Sequence, residues 1–387
     1  MDFTPNSSTT EQVFVTTPTN SNPGWAVNEI ANSTVVRVVY GIIAFVGLVG
    51  NFLVCFTLIK VPALRSRTSL FIIHLAISDI ITLTWVIPFH LFPYVPILPQ
   101  QPGYDALCRL FFSKFPLWTT LFASAYSLLL TTAERYTAIV FPIQYKIIFT
   151  KQNSGLMMAA CWLIAILSKV YYFGIIALRD GKCGVEWPKD YPSLQQGIGI
   201  CNIILVYLFP ISFMLYAHYK MITELKNRLK EMKARRAGNF KGTNSVGKEA
   251  WQFRASNELI KTLLWVVITY AICWAPNQIL FFAYNMGVDV DFSQVYYHIT
   301  VMFAISNSCM NPIIYSMKNK QYRVGLKEAL KWGNLSQVAK SGSGSTGMNT
   351  TDTSSGAPKT LNTPLASVVT ASVQSPPTVD LAQFSNI

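Results

Sequence analysis

Seven stretches of apolar sequence, each close to the ~20 residues a helix needs to cross the hydrocarbon of a bilayer, occupy most of residues 35 to 317. They lie near 35–60, 69–93, 108–140, 155–178, 196–222, 258–284 and 294–317. The expected fold is an all-α membrane protein, a seven-transmembrane helix bundle with a short amphipathic eighth helix. Composition agrees: 51% of the 387 residues are hydrophobic and only 13% are charged, which argues against an ordinary soluble domain.

The formal net charge of +13 would suit a nucleic-acid binder, but Lys and Arg avoid the apolar runs and cluster between particular pairs of them. Lys60, Arg65 and Arg67 fall in the first connection, Lys146 and Lys151 in the third, and eleven Lys or Arg lie between Lys220 and Lys261 in the fifth. Connections two, four and six are leaner and carry Asp105, Asp180, Glu186, Asp190, Asp289 and Asp291. The positive-inside rule then makes the odd connections cytoplasmic, with the amino terminus outside and the carboxyl terminus inside. The basic charge reads as topology in a multi-pass plasma-membrane protein, with lipid and not nucleic acid beside it.

Residues 1–34 are rich in Ser, Thr, Asn and Pro and contain no Lys or Arg before the first span, so a disordered extracellular tail is expected. Asn6 and Asn32 begin glycosylation tripeptides there. The spans fill residues 35–317. The fifth helix is predicted to run on to Gly238, its basic face serving either anionic lipid or a docking protein. Residues 318–332 are predicted to form the amphipathic helix on the inner membrane surface, with Tyr322, Leu326 and Leu330 on one face. Residues 333–387, rich in Ser and Thr, are expected to form a disordered cytoplasmic tail whose last residue, Ile387, could dock a PDZ-type domain. Of seven cysteines, five sit inside spans; Cys108 and Cys183 lie in polar connections and form the expected disulfide.

An ionisable residue inside hydrocarbon needs a reason. Asp79 sits mid-span, and Asn51, Ser124, Asn307, Ser308 and Asn311 lie at similar depth in other spans. One carboxylate with several neutral oxygens could hold a small hard cation or form a purely structural hydrogen-bond network. Prolines at 88, 116, 210, 276 and 312 each free a backbone carbonyl and permit a kink.

These residues carry a resemblance. Gly50-Asn51, Leu75-Ala76-Ile77-Ser78-Asp79, Glu134-Arg135-Tyr136, Trp162, Pro210, Cys273-Trp274-Ala275-Pro276 and Asn311-Pro312-Ile313-Ile314-Tyr315 fall one set per span and in this order. Over residues 35 to 332 the chain resembles the rhodopsin-like family of G protein-coupled receptors. The resemblance implies a ligand-activated receptor for a heterotrimeric G protein, not an enzyme. Glu134, Arg135, Tyr136, Asn311, Pro312 and Tyr315 would form the inner switch, with Glu134 restraining Arg135 at rest. Trp274 would sit beneath the ligand. Asp79, Ser124, Asn307 and Asn311 would form a sodium site, the sole metal expected in a chain with no other cofactor. Cys108 and Cys183 match the family's outer disulfide, and the tail would meet arrestin and receptor kinases.

Departures are visible too. Cys108 precedes Arg135 by 27 residues, about two more than the family pattern, so the outer third helix near Lys114 to Pro116 is expected to bulge or to start late. His218 and Tyr270 stand where the family more often has Tyr and Phe. Lys169, in the fourth span, faces either a pocket or the membrane surface.

Absences narrow the ligand. Ile305 occupies the position of a retinal-binding lysine, which disfavours light sensing, and residues 115–120 hold no carboxylate to pair an amine. Lys114, Trp274, Asn277, Gln278, Tyr284, Tyr297 and His298 are the expected ligand contacts, and the acidic, aromatic outer rim suits a peptide with a basic or amidated end. The sequence resembles neuropeptide receptors from Cys273 to Tyr284 and from Asn307 to Tyr315. A lipid or small metabolite is the alternative ligand class for the same fold. A transporter would show repeated halves, which this chain lacks. The four His residues are too scattered for a hydrolase metal site.

Overall fold

The computed structural model describes residues 33–92, 103–179, 182–188, 190–237, 245–292 and 294–341. Asn6, Asn32 and Ile387 lie outside the described residues, with the expectations attached to them. Seven long helices follow one another: α1 (Thr34–Lys60), α2 (Arg67–Val86, prolonged by a π-turn at Ile87–Leu91), α3 (Phe115–Val140) and α4 (Lys151–Leu167) come first. Next are α5 (Pro192–Ile203, a π-turn at Ile204–Leu208, then Phe209–Ala237), α6 (Ser245–Asn285) and α7 (Val295–Lys318). The helix α8 (Lys320–Ser341) follows after a one-residue break. Contacts divide the chain into Met1–Ser336 and Gln337–Ile387, and of the second unit only the end of α8 is described.

Among the described residues, five of these stretches (α1, α2, α4, α5 and α6) are long and apolar enough to cross a membrane. The other two, α3 and α7, are walled by protein on several sides. The α3 helix packs on α2, α4, α5 and α7, and α7 packs on α1, α2, α3 and α6. A helix walled in by protein can carry Ser, Thr and Asn where a lipid-facing one cannot. Outward, Phe45, Phe52, Leu156, Leu163, Leu205, Ile272 and Ile279 are exposed. Apolar exposure on that scale belongs to a surface solvated by lipid, because soluble monomers keep such patches small.

The third span begins later than its apolar run. Cys108–Phe112 forms a π-turn, Lys114 adopts the left-handed conformation (φ 57°), and α3 starts only at Phe115. Left-handed backbone costs a non-glycine residue about 1–2 kcal/mol. Here it lets the chain step from one helical path to another, and Pro116 then sits in the first turn, where its missing N–H is not needed. The Phe115 N–H finds Ser113 Oγ at 3.1 Å. The wide turn and the break together absorb the two surplus residues.

The fourth span, expected to reach residue 178, ends at Leu167. The last part of its apolar run is strand β1 (Ile176–Arg179), paired antiparallel with β2 (Lys182–Val185). An uninterrupted apolar run hides that change from helix to strand. The Cys108–Cys183 disulfide ties β2 to the turn before α3. At the other end of the bundle, α8 outruns its expected limit at residue 332. Gly325 allows its close approach to the first connection, since a Cβ there would lie 2.4 Å from Leu64 Cδ1. Tyr322 is buried, whereas Leu330, expected on the same face, is exposed.

Candidate functional site

At one end of α3, Glu134 is fully buried and Arg135 is clamped to it, Nε to Oε2 at 2.6 Å and Nη2 to Oε1 at 2.7 Å. Two further donors reach the same carboxylate: Thr68 Oγ1 from α2 at 3.2 Å and Tyr145 Oη at 2.6 Å. Tyr145 lies on the short helix Pro142–Ile148 that follows α3. Burial first, and the Glu134 carboxylate second, push the Tyr145 hydroxyl up to about 12, so it remains a donor at physiological pH. Glu134 therefore holds four hydrogen bonds, while Arg135 has its fork on one partner. Tyr136 turns away from this pair to pack on Phe141, Phe213 and Tyr216.

Halfway along the bundle, Asp79 is fully buried and accepts from Ser124 Oγ at 2.5 Å and from Asn311 Nδ2 at 2.9 Å. Ser308 Oγ faces the same carboxylate without completing a hydrogen bond. Asn307, beside Ser308 on α7, is buried, and among the described residues it makes no hydrogen bond to Asp79. Asn51 Nδ2 donates to Ser308 O at 2.8 Å, the carbonyl that Pro312 leaves without its helical donor, and to Gly47 O at 2.9 Å. Gly50 makes the α1–α7 approach possible, because a Cβ there would lie 2.8 Å from the Pro312 ring. The Tyr315 ring is buried against Tyr322, its hydroxyl unpartnered.

Trp274, fully buried on α6, packs on Phe122 of α3 (centroids 5.8 Å apart) and on Tyr270 (5.7 Å). One turn towards the Cys108 end, Asn277 and Gln278 are buried, and Gln278 accepts from Asn202 Nδ2 of α5 at 2.7 Å. Tyr284 accepts a hydrogen bond from Trp187, just past β2, at 3.3 Å, and its ring meets Phe292, which in turn meets Tyr297. His298 is buried, and its carbonyl accepts from Tyr40 of α1 at 3.4 Å. Lys114 lies within electrostatic reach of both His90 and His298. Lys169, left open between two orientations by the sequence, points inward and is buried.

The α3 helix thus links all three clusters, with Arg135 at one end, Ser124 in the middle and Phe122 below the other end. The family described as 7 transmembrane receptor (rhodopsin family) matches residues 50–315. The chain belongs to the rhodopsin family of seven-transmembrane receptors. The receptor is similar to the allatostatin-A receptor of Bombyx mori, 26% identical over 77% of this chain and 80% of that protein. It is also similar to the neuromedin-K receptor of Rattus norvegicus (28% identical, 78% of this chain, 64% of that protein). The substance-K receptor of Canis lupus familiaris is 28% identical over 80% of this chain and 77% of its own. The family consists of receptors and not enzymes.

The receptor's sequence motifs located the clusters but missed several members. Thr68, Tyr145, Asn202 and Trp187 all complete hydrogen bonds described above. Asn202 had a signal, since it is polar at near-span depth. Tyr145 and Trp187 had none, because each sits in a connection where aromatic residues need no explanation.

Proposed function

We propose that this receptor lies in the plasma membrane with its amino terminus outside, is activated by an extracellular peptide and drives a heterotrimeric G protein through its Glu134–Arg135 end. The basic charge between spans five and six and the disulfide at the opposite end support that orientation. The peptide reading rests on one observation: the relatives named above are neuropeptide receptors. The polar and aromatic groups at the Cys108 end, Asn277, Gln278, Tyr284, Tyr297 and His298, suit a peptide backbone and its side chains.

A ligand can shift a two-state receptor only by binding one state better. Its contacts act on the layer formed by Phe122, Trp274 and Tyr270, and movement of α6 there is transmitted to the inner end. Arg135, held by a single carboxylate, is the group released to the G protein. Asp79, Ser124, Asn311 and Ser308 Oγ supply oxygen ligands of the kind a sodium ion takes, so they fit that ion, with Asn307 adjacent on α7 as a further oxygen donor. Sodium there would contribute a positive charge that stabilises the buried carboxylate. The Ser- and Thr-rich tail serves receptor kinases and arrestin, Ile387 a PDZ domain, Asn6 and Asn32 carry glycans, and α8 meets lipid.

Cells expressing the full chain, challenged with a peptide library and read for calcium and cyclic nucleotide, test this function. Responses to peptides are expected. Responses confined to lipids or small metabolites would overturn the peptide reading, and Arg135→Ala is expected to abolish signalling while leaving ligand binding intact.

A further inference from the structure

Lys169 lies two residues past Leu167, the end of α4, where the chain turns through residues 168–171, and its side chain enters the bundle and not the lipid. Only 3% of it is exposed. The turn is pinned inward: Ser168 Oγ bonds Ile164 O at 2.7 Å and lies 3.3 Å from Tyr126 Oη of α3. Five aromatic rings surround the ammonium. Phe122 is nearest, with its centroid 3.9 Å from Nζ; Tyr172, Phe281, Tyr171 and Trp118 lie between 5.3 and 5.9 Å. Among the described residues no carboxylate pairs with Lys169, and it makes no side-chain hydrogen bond. The Tyr171 hydroxyl, on one of those rings, is also buried, with Tyr172 as its neighbour.

Ring faces attract a cation, but they do not replace the hydration of an ammonium taken out of water. If packing were the only requirement, a methionine would fill the same space without a charge. An ammonium enclosed by five rings, with no carboxylate beside it among the described residues, is a group that an anion would stabilise strongly. We propose that Lys169 binds a carboxylate of the activating ligand. This deepens the peptide reading and rests on it: the partner is a free carboxyl terminus or an Asp or Glu side chain, deep in the bundle, while the acidic rim takes the ligand's basic or amidated part. The Phe122 ring under Nζ is the one that packs on Trp274, so drawing the ammonium towards an anion alters the contact that leads to α6.

The test uses cells expressing the full chain with a surface tag. One arm is a panel of synthetic peptides, each made as C-terminal acid, as C-terminal amide, and with Asp and Glu exchanged for Asn and Gln. A second arm holds fatty acids and their primary amides. The expected result is an activating member whose neutral form is weaker by about 30-fold or more. Lys169→Gln should weaken the carboxylate form by a similar factor and leave the neutral form unchanged, while Lys169→Arg should keep the preference. Lys169→Met, expected at the surface at wild-type level or above, separates loss of the anion site from loss of fold. A response to fatty acids alone with the same Lys169 dependence upholds the carboxylate site and refutes the peptide reading. Equal potency of charged and neutral forms, an equal shift of both in Lys169→Gln, or silence of every carboxylate in both arms overturns the proposal.

Discussion

The Tyr270 hydroxyl donates to the carbonyl oxygen of Val206, the acceptor opposite which an α-helix would place the N–H that Pro210 lacks. Tyr207 returns the link, donating to Ala271 O at 3.0 Å. Two hydroxyls thus join α5 to α6 at the π-turn Ile204–Leu208, directly beneath Trp274. The departure at Tyr270 noted in the sequence supplies the donor that a phenylalanine there would lack. Asn51 does the same for the carbonyl that Pro312 frees.

Tyr270→Phe keeps the ring and removes the donor, leaving Val206 O unpaired at a cost of about 1–3 kcal/mol. Purified receptor should melt at lower temperature, and basal signalling should rise because α6 loses a tether. Wild-type melting together with wild-type basal signalling would show the link to be idle.

Asn51→Ala orphans Ser308 O and severs the α1–α7 bridge. A destabilisation of about 1–3 kcal/mol is expected from one buried, unsatisfied carbonyl, seen as reduced surface expression and a lower melting temperature. The measurement that refutes this is an Asn51→Ala receptor with unaltered melting.

Glu134→Gln should raise ligand-free G-protein activation, because a neutral amide cannot hold the guanidinium in a charge-assisted fork. Tyr145→Phe removes one of four donors to the same group and should act in the same direction, more weakly. Basal nucleotide exchange measured on membranes decides the matter, and no increase in either variant would sink the restraint.

Asp79→Asn tests the mid-bundle cluster. Agonist affinity compared in sodium and in choline buffers should differ for the wild type and not for the variant. An identical salt response in both would leave the cluster a structural network.

Cys108→Ser opens the link across a separation of 75 residues. Loop-closure entropy over that length corresponds to about 4 kcal/mol, so surface expression or ligand binding should fall sharply. Cys183→Ser and the double variant should match it, since all three lose the same bond.

Much of the site was legible in the sequence because short motifs mark the turns of helix that face inward. Asp79, Ser124 and Asn311 were placed together by depth alone, and they do meet. Asn307 and Ser308 are adjacent, and depth gives no direction for either; the rotation of α7 about its axis turns Ser308 to the carboxylate. At Lys114 the spacing from Cys108 to Arg135 signalled two surplus residues, but spacing alone could not choose between a bulge and a late start, and the structure uses both.

Local chemistry determined the spans, because a bilayer penalises charge at each depth without regard to the rest of the chain. Net hydrophobicity over ~20 residues is therefore readable one segment at a time. Charge bias and the motif order could be read in the same way, and with them the family. Tertiary structure alone decided how the chain absorbs its surplus residues before α3, that the apolar end of span four becomes a strand, and that Lys169 enters the bundle and not the lipid. Each of those depends on the direction a side chain takes once helices are rotated and packed against one another, which is a property of pairs of segments and not of any one.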